Sequence, residues 1–253
     1  MKKLFIFLLA LTATKAHAGF QFTNLDKTEV EQIFEELTVA NTFTTISGAG
    51  GLGTLFGFEV GLLAGESSAN KIQDLVKEAD PGSDYNGKLY HGGLIGRVTV
   101  PLGLTVEMNY LPKLKTSDAE FKSTAFAVNW NFSSGLLLDL SVRGHMSNME
   151  FSFSQPGASA SFENNITGLQ LLASKNFIIA EPYIGLGIVQ ASGDLSIKGT
   201  SFLASASQSE SAKVSGTHLV LGSEFKLLVI KCGIEYAKII DDSRISAKLS
   251  FYF

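Results

Sequence analysis

The chain has 253 residues, with 20 basic and 24 acidic side chains, 25 glycines, 19 phenylalanines and a formal charge of −4. That balance excludes a basic nucleic-acid-binding surface, and the single cysteine, Cys232, excludes an intramolecular disulfide, so stability must come from closed backbone pairing. The length suits one domain, and no solenoid or propeller period runs along it.

Lys2 and Lys3 precede an apolar run from Leu4 to Ala13, and Ala16-His17-Ala18 supplies the small residues a signal peptidase needs. Residues 1–18 are expected to be a signal peptide. The run is too short to span a membrane as a helix, and no cysteine follows it to carry a lipid. Removing Lys2, Lys3 and Lys15 leaves 17 basic residues against 24 acidic ones, a formal charge of −7.

From Leu25 to Leu37 the spacing predicts a short amphipathic helix with Val30, Ile33, Phe34 and Leu37 on one face, started by a capping box at Thr28 and Glu31. A glycine-rich stretch from Thr44 to Gly53 follows. Gly48, Gly50 and Gly53 match GxGxxG, but a strand comes next and an exported protein meets no nicotinamide cofactor, so a dinucleotide site is excluded. Residues 19–53 are expected to lie over the periplasmic mouth of the fold or to enter its lumen as a plug, with the mouth favoured. The glycines then serve as a bend into the first strand.

From Leu55 the apolar period becomes two, with Phe56, Phe58, Val60 and Leu62 on one face and Glu59 on the other. A polar insert, Ser67 to Gly87, with a helical turn over Ala69 to Glu78, reads as a long external loop. Further strands are predicted over Lys88–Val100, Leu104–Tyr110, Ala119–Phe132, Leu136 to about Phe153, Phe162–Ala173, Phe177 to about Lys198, Ala212–Phe225 and Leu228–Ala237. A Ser- and Ala-rich external loop is expected over Gly199–Ser211. The last ten residues, Arg244 to Phe253, alternate strictly: Ile245, Ala247, Leu249, Phe251 and Phe253 share one face, and Ser246, Lys248 and Ser250 the other. The count is ten strands over residues 54–253, and the short connections all fall on the side of the termini.

Aromatic residues sort by strand end. Trp130, Phe132, Phe177, Phe225 and Phe253 fall at the periplasmic ends, and Tyr90, Tyr110 and Tyr236 at the external ends, which gives the two girdles of a bilayer-spanning barrel. A soluble sandwich has no reason to sort them so. The inward phase collects Glu59, Arg97, Glu107, Asn109, Asn129, Asn131, Asp139, Arg143, His145, Glu181, Glu224, Lys231, Glu235 and Lys248. In a barrel of about ten strands such mixed charges form a salt-bridge network around a narrow or plugged pore.

A strand closing on Phe251 and Phe253 resembles the assembly signal of Gram-negative outer-membrane β-barrels, and the whole of Gly19 to Phe253 resembles the small, porin-like members of that class. The resemblance implies an all-β, antiparallel, up-and-down barrel in the outer membrane, with membrane lipid and the barrel assembly machinery as partners, self-association, no cofactor and a structural or porin-like role without enzymatic activity. Some porin-like barrels of predatory bacteria, associated with lipid-enclosing rings, are similar in size. One alternative is chemical. His145-Met146-Ser147-Asn148 resembles the His-x-Ser-Asn string of lipid A deacylases, in which the histidine activates the serine. In those enzymes the pair faces lipid, whereas Leu136, Leu138, Leu140 and Val142 outward turn His145 and Ser147 toward the lumen. The layout also resembles outer-membrane palmitoyltransferases and proteases, but no palmitoyltransferase motif is present, and the external acidic pair Asp241-Asp242 has no loop histidine beside it.

Overall fold

The computed structural model describes residues 27–253, except 54–55, 80–81, 83, 116–118, 136, 156–157 and 202–203. The expected signal peptide lies outside the described residues. A helix α1 (Lys27–Asn41) and an extended segment precede ten antiparallel strands: β1 (Gly57–Ser68), β2 (Lys88–Val100), β3 (Leu104–Lys115), β4 (Ala119–Ser133), β5 (Asp139–Gln155), β6 (Ala158–Ser174), β7 (Ala180–Ser201), β8 (Ala204–Leu227), β9 (Ile230–Ile239) and β10 (Asp242–Tyr252). A second helix, α2 (Asn70–Ala79), lies in the β1–β2 connection. Neighbours in sequence pair all the way round, and β1 pairs with β10 from Glu59–Tyr252 to Ser67–Arg244, closing the ring. Phe58 and Phe253 exchange backbone hydrogen bonds of 2.8 Å at the foot of that seam. Closure leaves no sheet edge in the lipid band, where an unpaired amide would cost several kcal/mol.

The alternation decides which face meets lipid. Phe58, Val60 and Leu62 on β1, Ile184, Leu186 and Ile188 on β7, and Ile245, Leu249 and Phe251 on β10 are all about half exposed or more, while Glu59, Arg97, Glu107, Glu224 and Lys248 are buried. Charge inside and aliphatic surface outside is the inverse of a soluble core, and it is the pattern a bilayer demands. The eight aromatics expected to form girdles are all exposed, with Phe177 in the turn before β7 and Tyr110 in the middle of β3.

Two expectations are corrected. The Gly199–Ser211 loop does not form: β7 runs to Ser201 and β8 starts at Ala204, paired up to Ser201–Ala204. Above the membrane a strand has no lipid face, so Ser and Ala pair there without the apolar alternation that marks a strand lower down. β5 and β6 likewise extend to Gln155 and Ala158. The wall is therefore tall over β5 to β8 and low at β9 and β10, which turn over at Ile240 and Asp241.

The second correction concerns α1. The helix sits at the end of the long β1–β2 connection, not at the short-turn mouth. Its Glu36 carboxylate accepts hydrogen bonds from the backbone N–H groups of Lys71 (2.7 Å) and Ile72 (2.9 Å), satisfying first-turn donors of α2 from another element. Lys71 Nζ meets Glu35 at 2.6 Å. Val30 and Phe34 pack against Met149, Phe162 and Ala212 on the tall side of the wall. Short turns mark the periplasmic side of such barrels and longer connections the external side, so α1 caps the external mouth.

Candidate functional site, a lumen filled by the N-terminal segment

Because β1 starts at the short-turn end and α1 lies at the other, the chain between them runs the length of the lumen. Its hydrogen bonds mark the path in order. Leu52 N–H donates to Thr99 Oγ1 (2.9 Å) near the short turns, and Ala49 donates to Ser174 Oγ (3.0 Å) while its carbonyl accepts from Asn131 (2.9 Å). At mid-height Arg143 donates to the Ser47 carbonyl (3.0 Å) and hydroxyl (2.7 Å), Thr45 Oγ1 donates to Glu107 (3.0 Å) and Thr44 Oγ1 to Glu235 (2.8 Å). Higher up Arg244 donates to the carbonyls of Val39 and Thr42, and Asn164 to Thr38 Oγ1 (3.1 Å). Residues 42–49 are all buried.

Small polar residues suit this position. A segment with no regular partner strand must satisfy its backbone groups from side chains, and Thr and Ser add donors of their own without filling the bore. Ile46 has φ 53°, in the left-handed region, and the Thr44 hydroxyl accepts its N–H at 2.9 Å, so the chain kinks there. A Cβ on Gly48 would lie 2.7 Å from Glu181 Oε1 and 2.8 Å from Ser174 Cβ, so glycine is required by close approach to the wall. The glycine-rich stretch expected to be a bend is thus largely the plug itself.

Behind the plug the wall carries an ionic network and a separate Glu235–Arg244 pair. Glu59 accepts from Arg97 (2.8 Å), Lys248 (2.6 Å) and Ser250 (2.7 Å), with Lys231 at 3.5 Å. Glu224 accepts from Lys248 (2.6 Å) and lies 3.5 Å from Lys231 and 3.9 Å from Arg97. Glu107 bridges Arg97 (3.1 Å) and Arg143 (3.2 Å), and Glu235 joins Tyr183 (2.8 Å) to Arg244 (3.5 Å). Glu181 stands apart near the short turns with Lys226 (2.8 Å) and Ser174 (2.9 Å), and half-buried Asp139 lies on the same side, 3.6 Å from where a Gly50 Cβ would sit. The sequence-predicted set is therefore drawn together except for Asp139, Glu181 and Glu235. The parity that turns Lys248 inward also turns Arg244 inward, so the strand alternation alone carries the signal for it. Tyr183, Gln170 and His218 also point into the lumen, Tyr183 donating to Glu235 and Gln170 lying 3.1 Å from His218.

Such a buried network holds carboxylates charged only because each has at least one cation or several donors. Its chemical competence is to bind backbone and hydroxyl groups of a threaded chain. His145 and Ser147 face the same lumen. The His145 ring stacks 5.8 Å from Phe43 and lies 6.0 Å from the His218 ring, with neither ring nitrogen nor the Ser147 hydroxyl hydrogen-bonded to a described residue. Among the described residues no group of three His, Cys, Asp or Glu is placed to hold a metal ion, and no helix is long and apolar enough to cross a membrane.

The profile of a family described as "Family of unknown function (DUF6588)" matches residues 4–253. No curated protein matches the chain. Similar solved structures include Ail, the attachment invasion locus protein of Yersinia pestis, at 14% identity and a TM-score of 0.32 over 77% of this chain and 98% of that one. The outer membrane protease OmpT of Escherichia coli is similar at 11% identity and a TM-score of 0.40, covering 84% and 99%. The translocator domain of the autotransporter NalP from Neisseria meningitidis is similar at 12% identity and 0.41, covering 79% and 89%.

Proposed function

The chain belongs to the family of unknown function DUF6588, and we propose that it is a non-enzymatic outer-membrane barrel with a structural or porin-like role, held closed by its own N-terminal segment. The observation that carries this is the plug: wall residues at every height, from Thr99 to Asn164, are hydrogen-bonded to residues 38–52. A ten-strand barrel has little room beyond its own side chains, and a threaded strand takes what is left. The lipid-facing band supports outer-membrane lipid as its surroundings, and the closing strand with Phe251 and Phe253 suits recognition by the assembly machinery. Self-association has support in an apolar pit at Gly96, where a Cβ would meet only Met108 Cε, at 4.0 Å, and which Phe58, Val98 and Val106 rim.

The burial of His145 and Ser147 in the lumen, with the His145 ring against Phe43, speaks against the deacylase alternative. Planar-bilayer recording tests the main reading. The intact protein is expected to be silent or to show only small steps, and a variant with residues 42–49 replaced by a short Gly-Ser linker to show large discrete steps. Large steps from the intact protein would overturn it. Unchanged lipid A masses on expression are expected, and a loss of one acyl chain that Ser147→Ala abolishes would restore the enzyme.

A further inference from the structure

On the low side of the rim the strand registers align a row of polar side chains. Lys238 of β9 stands opposite Ser243 of β10, and Ser68 of β1 opposite Lys88 of β2. The Ser243 N–H donates to Ser68 Oγ at 3.2 Å and the two hydroxyls lie 3.4 Å apart, which joins the halves across the closing seam. Two residues down each strand the next row is Tyr236, Ile245, Glu66 and Tyr90. Tyr236, Ile245 and Tyr90 are exposed on the lipid side, so by parity the polar row also faces outward, immediately above two interfacial tyrosines.

A cleft of about 230 Å³ opens among Glu66, Ser68, Asn70, Asn86, Lys88 and Ser243, with Ile245 at its apolar edge. Buried Ser67 also lines it, and its hydroxyl has no hydrogen-bond partner among the described residues. The shape is fixed by the start of α2: Ala69 N–H donates to the Gly87 carbonyl at 2.8 Å, and Gln73 Nε2 to the Tyr85 carbonyl at 2.7 Å. Below the tyrosine row, Ala247, Ala64 and Gly92 stand side by side, and Leu249, Leu62 and Leu94 follow, all three exposed. The polar cleft therefore continues downward into a shallow apolar dish.

The two parts together describe a ligand. Glu66 and Lys88 are ion-paired, and with two amides and the serine hydroxyls they present donors and acceptors side by side, as a saccharide hydroxyl, itself both, requires. The Glu66 carboxylate repels an anion placed against it, whereas exposed Lys238, at the far end beyond Ser243, attracts one. The cleft opens on the outer wall at the level of the tyrosines, so its occupant arrives along the leaflet. We propose that it binds the phosphorylated saccharide headgroup of a glycolipid of the external leaflet, with sugar hydroxyls against Glu66, Asn70 and Asn86, phosphate at Lys238 and an acyl chain over Ala247, Ala64 and Gly92. The site rests on the outer-membrane reading proposed above.

Native mass spectrometry of the detergent-solubilised barrel, titrated with lipid A, dephosphorylated lipid A or phosphatidylglycerol, tests this. Wild type is expected to bind one lipid A in preference to either of the others. Lys238→Gln is expected to weaken lipid A binding about fivefold, the contribution of one lysine at a membrane surface, and to leave the dephosphorylated form unaffected. Asn86→Leu should weaken both glycolipids and not phosphatidylglycerol, and Lys213→Gln, at an exposed lysine of the tall wall, should change nothing. No binding of lipid A, equal binding of lipid A and phosphatidylglycerol, or equal losses from Lys213→Gln and Lys238→Gln would overturn the site. Displacement of bound lipid A by an equal concentration of free glucosamine phosphate would assign the cleft to a soluble sugar and overturn the lipid. Absence of the protein from the outer-membrane fraction of expressing cells would instead overturn the reading beneath it, whatever the detergent-solubilised barrel binds.

Discussion

Arg143 of β5 grips Ser47 of the plug twice, through the carbonyl oxygen at 3.0 Å and the hydroxyl at 2.7 Å, while its Nε lies 3.2 Å from Glu107. One guanidinium thus joins wall, plug and carboxylate, a role its planar fork suits and a lysine would not fill. Arg143→Leu is expected to leave Glu107 with Arg97 as its only cation and to destabilise the folded barrel by about 3–5 kcal/mol, the usual cost of stripping one partner from a buried pair. Urea titration followed by heat-modifiable migration measures it. A loss below about 1 kcal/mol would show that the grip on Ser47 is incidental.

Gly48 is expected to tolerate no side chain. Gly48→Ala places a methyl within van der Waals overlap of Glu181 and Ser174, whose atoms are themselves tied to Lys226 and Ala49. Overpacking of this kind costs about 1–3 kcal/mol, and displacing the segment relieves it more readily than moving the barrel wall. Bilayer recordings should therefore show conductance steps in Gly48→Val that wild type lacks. Gly144→Ala on the lipid face, where a Cβ meets nothing within 4 Å, should be silent in the same assay.

Phe43 anchors the plug by shape rather than charge. It packs on Ala125 and Ala127 of β4, stacks on His145 and lies 6.0 Å from the Arg143 guanidinium. Phe43→Ala is expected to cost about 3–5 kcal/mol. Because the ring and Arg143 are in contact, the double variant Phe43→Ala/Arg143→Leu should lose less than the sum of the single losses. Strict additivity in the same urea titration would show that the two residues hold separate parts of the segment.

The ten strands were legible because a barrel wall forces each residue to choose between lipid and lumen, and Phe58, Glu59, Val60 and their counterparts write that choice in period two. The plug was not legible. Thr42 to Gly50 has no neighbouring strand, no alternation and no long apolar run, and its partners are scattered from Glu107 to Arg244. Local sequence read it as a bend, since nothing within the segment announces that Glu181 will lie against Gly48. The charged residues of the lumen were visible one by one, but their pairing depends on tilt and register, so the isolation of Glu181 and the pairing of Arg244 with Glu235 emerge only in three dimensions.

The latch between α1 and α2 should respond to pH. Burial raises the Glu36 carboxyl above its ordinary value, against the lowering effect of the Ile72 and Lys71 N–H groups, and the Asp242 charge raises it further. Burial likewise raises Asp242, which Lys71 lowers in part and Glu35 raises. A carboxyl whose bound-state pKa lies above its free value binds protons more tightly when docked. Docking is therefore penalised above the raised pKa values and relieved as pH falls through them, with no further gain from these two groups below their free values of 4.5 and 3.8. Amide exchange of α1, corrected for its intrinsic pH dependence, is expected to be slower at about pH 5 than at about pH 7.5, and Glu36→Gln with Asp242→Asn should remove the difference. A latch that loosens on mild acidification would mean that the hydrogen bonds from Lys71 and Ile72 to ionised Glu36 outweigh its burial.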